Sequence, residues 1–129
     1  MELEGLTGAI IGAAIEVHRE LGPGFLESIY ENALAVELRY RGIPFVQQLE
    51  VPIYYREAEV GRHRLDLIVF GRIVVELKTV KEIAPIHFVV VRSYLKALNR
   101  EHGLLLNFAS EKLEVRRATV RSLPGFLGS

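Results

Sequence analysis

The chain has 129 residues, of which 50% are hydrophobic and 25% charged, with 16 basic side chains against 16 acidic ones. That size and composition describe a single globular domain spanning 1–129 and exclude a disordered chain. Cysteine is absent, which excludes disulfides, thiolate metal sites and thiol nucleophiles.

No apolar run approaches the roughly 18 residues a membrane helix needs. The opening Met1-Glu2-Leu3-Glu4 lacks the basic region of a secretory signal. A cytoplasmic domain that does not enter a membrane is expected. The balanced charge hides an asymmetry: residues 1–50 carry a net −5 and residues 51–129 a net +5. The basic second half could face a polyanion, or the two halves could simply neutralise each other.

In chain order, Thr7 reads as the N-cap of a first helix over residues 7–20, closed by Gly22 and Pro23. Ile10, Ile11, Ala14, Ile15 and His18 fall on one helical face. A second helix over 25–40 ends at Gly42 and Pro44, with Leu26, Ile29, Tyr30, Ala33, Leu34 and Leu38 on its apolar side. The period then switches to two. Residues 45–55 read as a long strand, with Pro52 marking an edge or a bulge. Residues 56–59 read as a turn, 62–70 as a second strand, and 73–79 as a third, after the tight turn Phe70-Gly71-Arg72.

Pro85 suits the first position of a third helix reaching Asn99, with Val89, Val90, Tyr94, Leu95 and Leu98 inward. The apolar stretch 86–91 could serve a dimer, although core packing explains it too. Residues 104–108 and 113–121 close the pattern as two more strands, and the tail 122–129 is expected to be poorly ordered. The order is ααβββαββ, an α/β domain with a mixed sheet flanked by helices.

Chemistry concentrates on the second and third strands. Asp66, the single aspartate, lies within the apolar run Leu65-Asp66-Leu67-Ile68-Val69-Phe70, a costly place for a carboxylate. Glu76 and Lys78 are two residues apart and so share a strand face, among Ile73, Val74, Val75 and Leu77. A three-residue hairpin loop would set Asp66 opposite Glu76, whereas a two-residue loop would put them on opposite faces. Adjacent carboxylates repel, and a divalent cation relieves that repulsion. The alternative is a buried ion cluster, which stabilises poorly.

Asp66 with Glu76-Leu77-Lys78 resembles the signature of the PD-(D/E)XK nuclease superfamily, and the element order resembles its restriction-endonuclease-like core. Gly24-Phe25-Leu26-Glu27-Ser28-Ile29-Tyr30 resembles the motif of the GxxExxY proteins, a branch of that superfamily. The stretches Ile15-Glu16-Val17-His18 and Gly103-Leu104-Leu105-Leu106-Asn107-Phe108 are similar to the same branch.

The resemblance implies a Mg²⁺- or Mn²⁺-dependent nuclease acting on DNA or RNA. It implies that Asp66, Glu76 and the backbone carbonyl of Leu77 ligate the metal, that Glu27 joins them from the second helix, and that Lys78 handles the attacking water. Glu27 shares a helical face with Leu34 and Leu38, which also points it inward, while a helix-dipole role explains it as well. One departure stands out. Relatives carry a Gln four residues before the Tyr of the third helix, and here Val90 precedes Tyr94. So small a domain is expected to act as a homodimer or beside a partner protein.

Accessory candidates are His18, Tyr30, His87 and Tyr94. His18 reads as a core histidine or a support behind Glu27, and His87 as a helix-end hydrogen bond or a site residue. Tyr30 and Tyr94 read chiefly as amphipathic core residues. Arg62, Arg64, Lys81, Arg92, Lys96 and Arg100 could contact phosphates or form an ordinary solvated face.

Overall fold

The computed structural model describes residues 2–121; the tail 122–129 lies outside the described residues. The elements are α1 (Leu3–Leu21), α2 (Glu27–Tyr40), β1 (Phe45–Tyr55), β2 (Ala58–Val69), β3 (Ile73–Lys78), α3 (Pro85–Leu98), β4 (His102–Asn107) and β5 (Glu114–Thr119). The five strands form one sheet in the order β1-β2-β3-β4-β5. Every neighbouring pair is antiparallel except β3 and β4, which are parallel and joined through α3. This is a single-domain α/β fold with a mixed sheet.

Helices cover both faces of the sheet. Ile10, Ala14 and Val17 of α1 and Tyr30, Leu34 and Leu38 of α2 pack on Leu67, Ile73, Val75 and Leu77. Val91 and Leu95 of α3 pack on the other face, against Leu65, Val74 and Leu105. β3 is therefore the central strand, and Ile73, Val74, Val75 and Leu77 are all 0% exposed. The continuous apolar run Ile73-Val74-Val75 is what a sheet covered on both faces requires. Gly103 lets α3 approach closely, because a Cβ there would stand 2.7 Å from Val91 Cγ1 and 3.3 Å from the Val74 carbonyl. Gly103→Ala should therefore destabilise the fold by about 1–3 kcal/mol through overpacking, seen as a melting temperature several degrees lower. An unchanged melting curve would show that α3 can shift without cost.

Several boundaries differ from the sequence expectation. α1 starts at Leu3, so Thr7 is not its cap; it is buried mid-helix, and its hydroxyl donates to the carbonyls of Leu3 and Glu4. The buried face of α1 runs through Leu6, Ile10, Ala13, Ala14, Val17 and His18, leaving Ile15 exposed. α2 begins at Glu27, with Leu26 as its N-cap residue, and Leu26 and Ile29 face outward. The turn after β1 is only Arg56-Glu57, both left-handed at φ 48° and 68°, so β2 begins at Ala58. On α3, Val89 and Ile86 are exposed, and Val91 and Leu95 are the buried residues. The misassigned faces share a cause: apolar content alone cannot tell which of two adjacent faces meets the sheet. Pro52 does lie on an edge strand, since β1 pairs only with β2, and the register shifts just beyond it, between Ile53 and Tyr54.

Candidate active site

The hairpin between β2 and β3 has the three-residue loop, Phe70-Gly71-Arg72. Val69 pairs with Ile73, Ile68 with Val74 and Leu67 with Val75, so Asp66 and Glu76 are the next residues to face each other. At that level the backbone ladder gives way to side chains. The Asp66 N–H donates to Glu76 Oε1 at 3.1 Å, and the Leu77 N–H donates to Asp66 Oδ2 at 2.9 Å. Each carboxylate thus uses one oxygen on a backbone donor and keeps the other for a proton or a cation.

The same level marks a break in β2 itself. Leu65 and Leu67 are two apart, yet Leu67 packs under α1 and α2 while Leu65 packs under α3. On the other side of β2, Gln48 falls opposite Asp66 in register but drops out of the pairing, with a left-handed φ of 56°. Departures from regular strand geometry of this kind re-aim side chains and cluster near functional sites. The Gln48 amide is turned onto Glu31, donating to Oε1 at 2.9 Å and Oε2 at 2.8 Å. The Gln47 amide donates to Glu31 Oε2 at 2.6 Å and to Asn32 Oδ1 at 2.8 Å.

Four carboxylates thereby come within electrostatic reach of one another. Burial pushes the Glu76 carboxyl up to about 8, and the nearby Asp66 and Glu27 charges add to that rise, while the Asp66 N–H and Lys78 oppose it. Asp66 is raised by burial first and by Glu31, against the Leu77 N–H, Lys78 and a hydrogen bond shared with the Glu76 carboxyl. Glu27, in the first turn of α2, is raised by burial and then by Asp66 and Glu31, with Lys78 opposing. Tyr94 looks in from α3, and its hydroxyl holds its proton more tightly through burial and then through the Glu76 and Asp66 charges.

The remaining accessory candidates go elsewhere. The His18 Nε2 is paired with the Ser110 carbonyl at 2.8 Å, and its ring rests beside Phe108, making it a core histidine. Tyr30 stacks on Phe108 at 4.6 Å, and its hydroxyl donates to the Gly22 carbonyl and accepts from the Phe25 N–H. Its work is to hold the Gly22–Phe25 bend that leads into α2. His87 accepts the Ala84 N–H on its Nδ1 at 2.9 Å and caps α3.

Among the cations, Arg62 and Arg64 are held by Glu50 and Glu59, and Arg100 donates to the Gly71 carbonyl. Glu31, Gln47 and Gln48 are members of the cluster that sequence reading missed. The signal for Glu31 was its place one helical turn after Glu27.

No three His, Asp or Glu side chains converge as a ready-made metal cage among the described residues. The donors present are all oxygen: the Asp66 and Glu76 carboxylates and the Leu77 carbonyl, which lies beyond the last β2–β3 pair. The Lys78 carbonyl accepts from the Phe108 N–H just past the end of β4, so the alternating neighbour Leu77 directs its peptide groups toward β2 and Asp66. Such a set fits Mg²⁺ or Mn²⁺, which keep several waters and take few protein ligands, better than zinc or copper.

A family model described as the PD-(D/E)XK nuclease superfamily matches residues 4–118. The chain belongs to the PD-(D/E)XK nuclease superfamily. The fold agrees. The crystal structure of SSO0001 superposes with a TM-score of 0.58 at 18% identity, over 78% of this chain and 52% of that one. This PD-(D/E)XK domain thus spans about half the length of that solved structure, and the likeness shows the fold alone. No curated protein matches the chain. No described helix is long and apolar enough to cross a membrane.

Proposed function

We propose that this PD-(D/E)XK domain is a divalent-metal-dependent nuclease that hydrolyses phosphodiester bonds of DNA or RNA, and that it falls in the GxxExxY branch. One observation carries the reading: the β2–β3 ladder is interrupted where Asp66 and Glu76 face each other, with a carboxylate oxygen of each left over. A purely structural sheet would gain by closing that gap with apolar residues, since buried ionic clusters are poor stabilisers.

Asp66, Glu76 and the Leu77 carbonyl hold the ion in this reading, with Glu27 approaching from α2. Mg²⁺ or Mn²⁺ bound there supplies charge that polarises the scissile phosphate and lowers the pKa of an attacking water. Lys78, two residues along β3 from Glu76, acts on all three carboxylates electrostatically. Its ammonium orients the water or the phosphate. Glu31 stays outside this set, with both oxygens taken by the Gln47 and Gln48 amides.

A second reading is a catalytically weak or inactive module that binds nucleic acid or a protein partner. Val90 favours it, because the helix position one turn before Tyr94 offers methyl groups where the GxxExxY resemblance implies an amide. The deciding experiment titrates Mg²⁺ and Mn²⁺ against supercoiled DNA, single-stranded DNA and RNA. Metal-dependent cleavage, faster in Val90→Gln, is the expected result. No cleavage by either protein, on any substrate, with either metal, would leave the binding module, provided nucleic acid were still retained in a salt-dependent way.

A further inference from the structure

We propose that the recess between the β1–β2 hairpin and α3 receives an unpaired base of a single-stranded nucleic acid; the proposal rests on the nuclease reading above. The recess holds about 520 Å³ and is lined by Pro52, Ile53, Tyr54, His63, Ser93 and Lys96, a size typical of small-ligand recesses (about 300–1,000 Å³). Its shape follows from the strand irregularity. Consecutive strand residues normally face opposite sides, but the register shift between Ile53 and Tyr54 lets both border the same recess. Tyr54 is 61% exposed, so most of the residue lies outside the core.

The recess lies along β2 from the carboxylates, with His63 three residues before Asp66. His63 meets Tyr94 edge to face, with ring centroids 5.0 Å apart, and the Tyr94 hydroxyl feels the Glu76 and Asp66 charges. His63 and Asp66 are three residues apart on β2, roughly 10 Å, so a strand with a base at His63 reaches the proposed cleavage point within a few nucleotides.

The charges also favour such an occupant. On the hairpin, Arg62 and Arg64 are neutralised by Glu50 and Glu59. Across the recess, Lys96 on α3 makes no ion pair among the described residues and is exposed to meet a phosphate. The apolar Pro52 and Ile53, the exposed Tyr54 and His63 and the Lys96 cation suit a base that stacks and a backbone that carries charge. A duplex hides its base faces and presents phosphates outward, so it gains nothing from the rings of this recess. An unpaired strand does.

The test is fluorescence anisotropy with a labelled mixed-sequence 20-mer, as single-stranded DNA, single-stranded RNA and duplex DNA. Binding is measured in EDTA so that no strand is cut. We expect a single strand to bind at least about tenfold more tightly than the duplex. Loss of one stacked base corresponds to roughly 1–3 kcal/mol, so Tyr54→Ala should weaken single-strand binding by about fivefold or more. Lys96→Ala should weaken it as well, and Tyr54→Phe should retain it, because the ring and not the hydroxyl makes the contact. Each variant should melt as the wild type does, since Tyr54 and Lys96 are exposed. Wild-type affinity in Tyr54→Ala, a preference for duplex, or no binding to any of the three would overturn the proposal. The nuclease reading is decided separately, by whether metal-dependent cleavage occurs and is lost in Asp66→Asn.

Discussion

Asp66→Asn and Glu76→Gln are each expected to lower metal-dependent cleavage by at least about a thousandfold, roughly 4 kcal/mol of transition-state stabilisation. Both replacements remove a negative metal ligand and leave the shape almost unchanged. In Asp66→Asn the new amide would still offer an oxygen to the Leu77 N–H, and in Glu76→Gln it would offer one to the Asp66 N–H. The two bonds that seal the end of the β2–β3 ladder can therefore persist. Circular dichroism and melting curves of both variants should accordingly match a folded protein. Lys78→Ala should impair turnover far more than Mn²⁺ binding, because its ammonium serves the water or the phosphate and not the ion. Near-wild-type cleavage by either carboxylate variant would remove the assigned centre from the reaction.

The metal-free protein is expected to lose stability as pH rises from about 4.5 toward 8, and Glu76 is the reason. Its ordinary value is 4.5, and in the folded protein burial raises it to about 8. Between those values the folded state holds a proton that the unfolded state has released. Stability from this group is complete below the unfolded value and is lost as pH climbs through the window to the folded one. The raised values of Asp66 and Glu27 act in the same direction.

Glu76→Gln removes the titrating group without removing the acceptor, so its melting temperature should exceed that of the wild type at pH 8.5 and match it more closely at pH 5. The same proton competes with metal. Mg²⁺ binding near pH 7 should release about one proton and tighten as pH rises, because a carboxylate must ionise to ligate. Calorimetry in two buffers of different ionisation enthalpy measures that proton directly. A metal affinity flat from pH 6 to 9, with no proton release, would show that Glu76 is not a ligand.

Much of this was legible in the residues. Element order and type came through because each segment has its own period and its own punctuation. Gly22 and Pro23 close α1, Pro85 opens α3, and β3 is apolar apart from Glu76 and Lys78 because both of its faces are covered. The candidate site was legible for the same reason: a lone Asp66 and a Glu76–Lys78 pair inside apolar strands cost free energy that hydrophobic substitutes would not. Whether Asp66 meets Glu76 was not decided there. That needed the loop length at Phe70-Gly71-Arg72, because a slip of one residue flips every side chain to the other face.

The rest belonged to tertiary structure alone. For His18 and Tyr30 the sequence favoured the core over the site, but only the fold supplies what holds them there, the ring of Phe108 and the carbonyls of Ser110 and Gly22. Glu31 lies one helical turn after Glu27 in the sequence, but its partners appear only when Gln47 and Gln48 arrive from β1 to bind it. The Gln48 turn that makes this possible is a left-handed backbone in a non-glycine residue, which no local pattern announces. Periodicity reports the faces that each segment prefers by itself. Which face is used, and which polar groups meet there, depends on contacts between segments far apart in the chain.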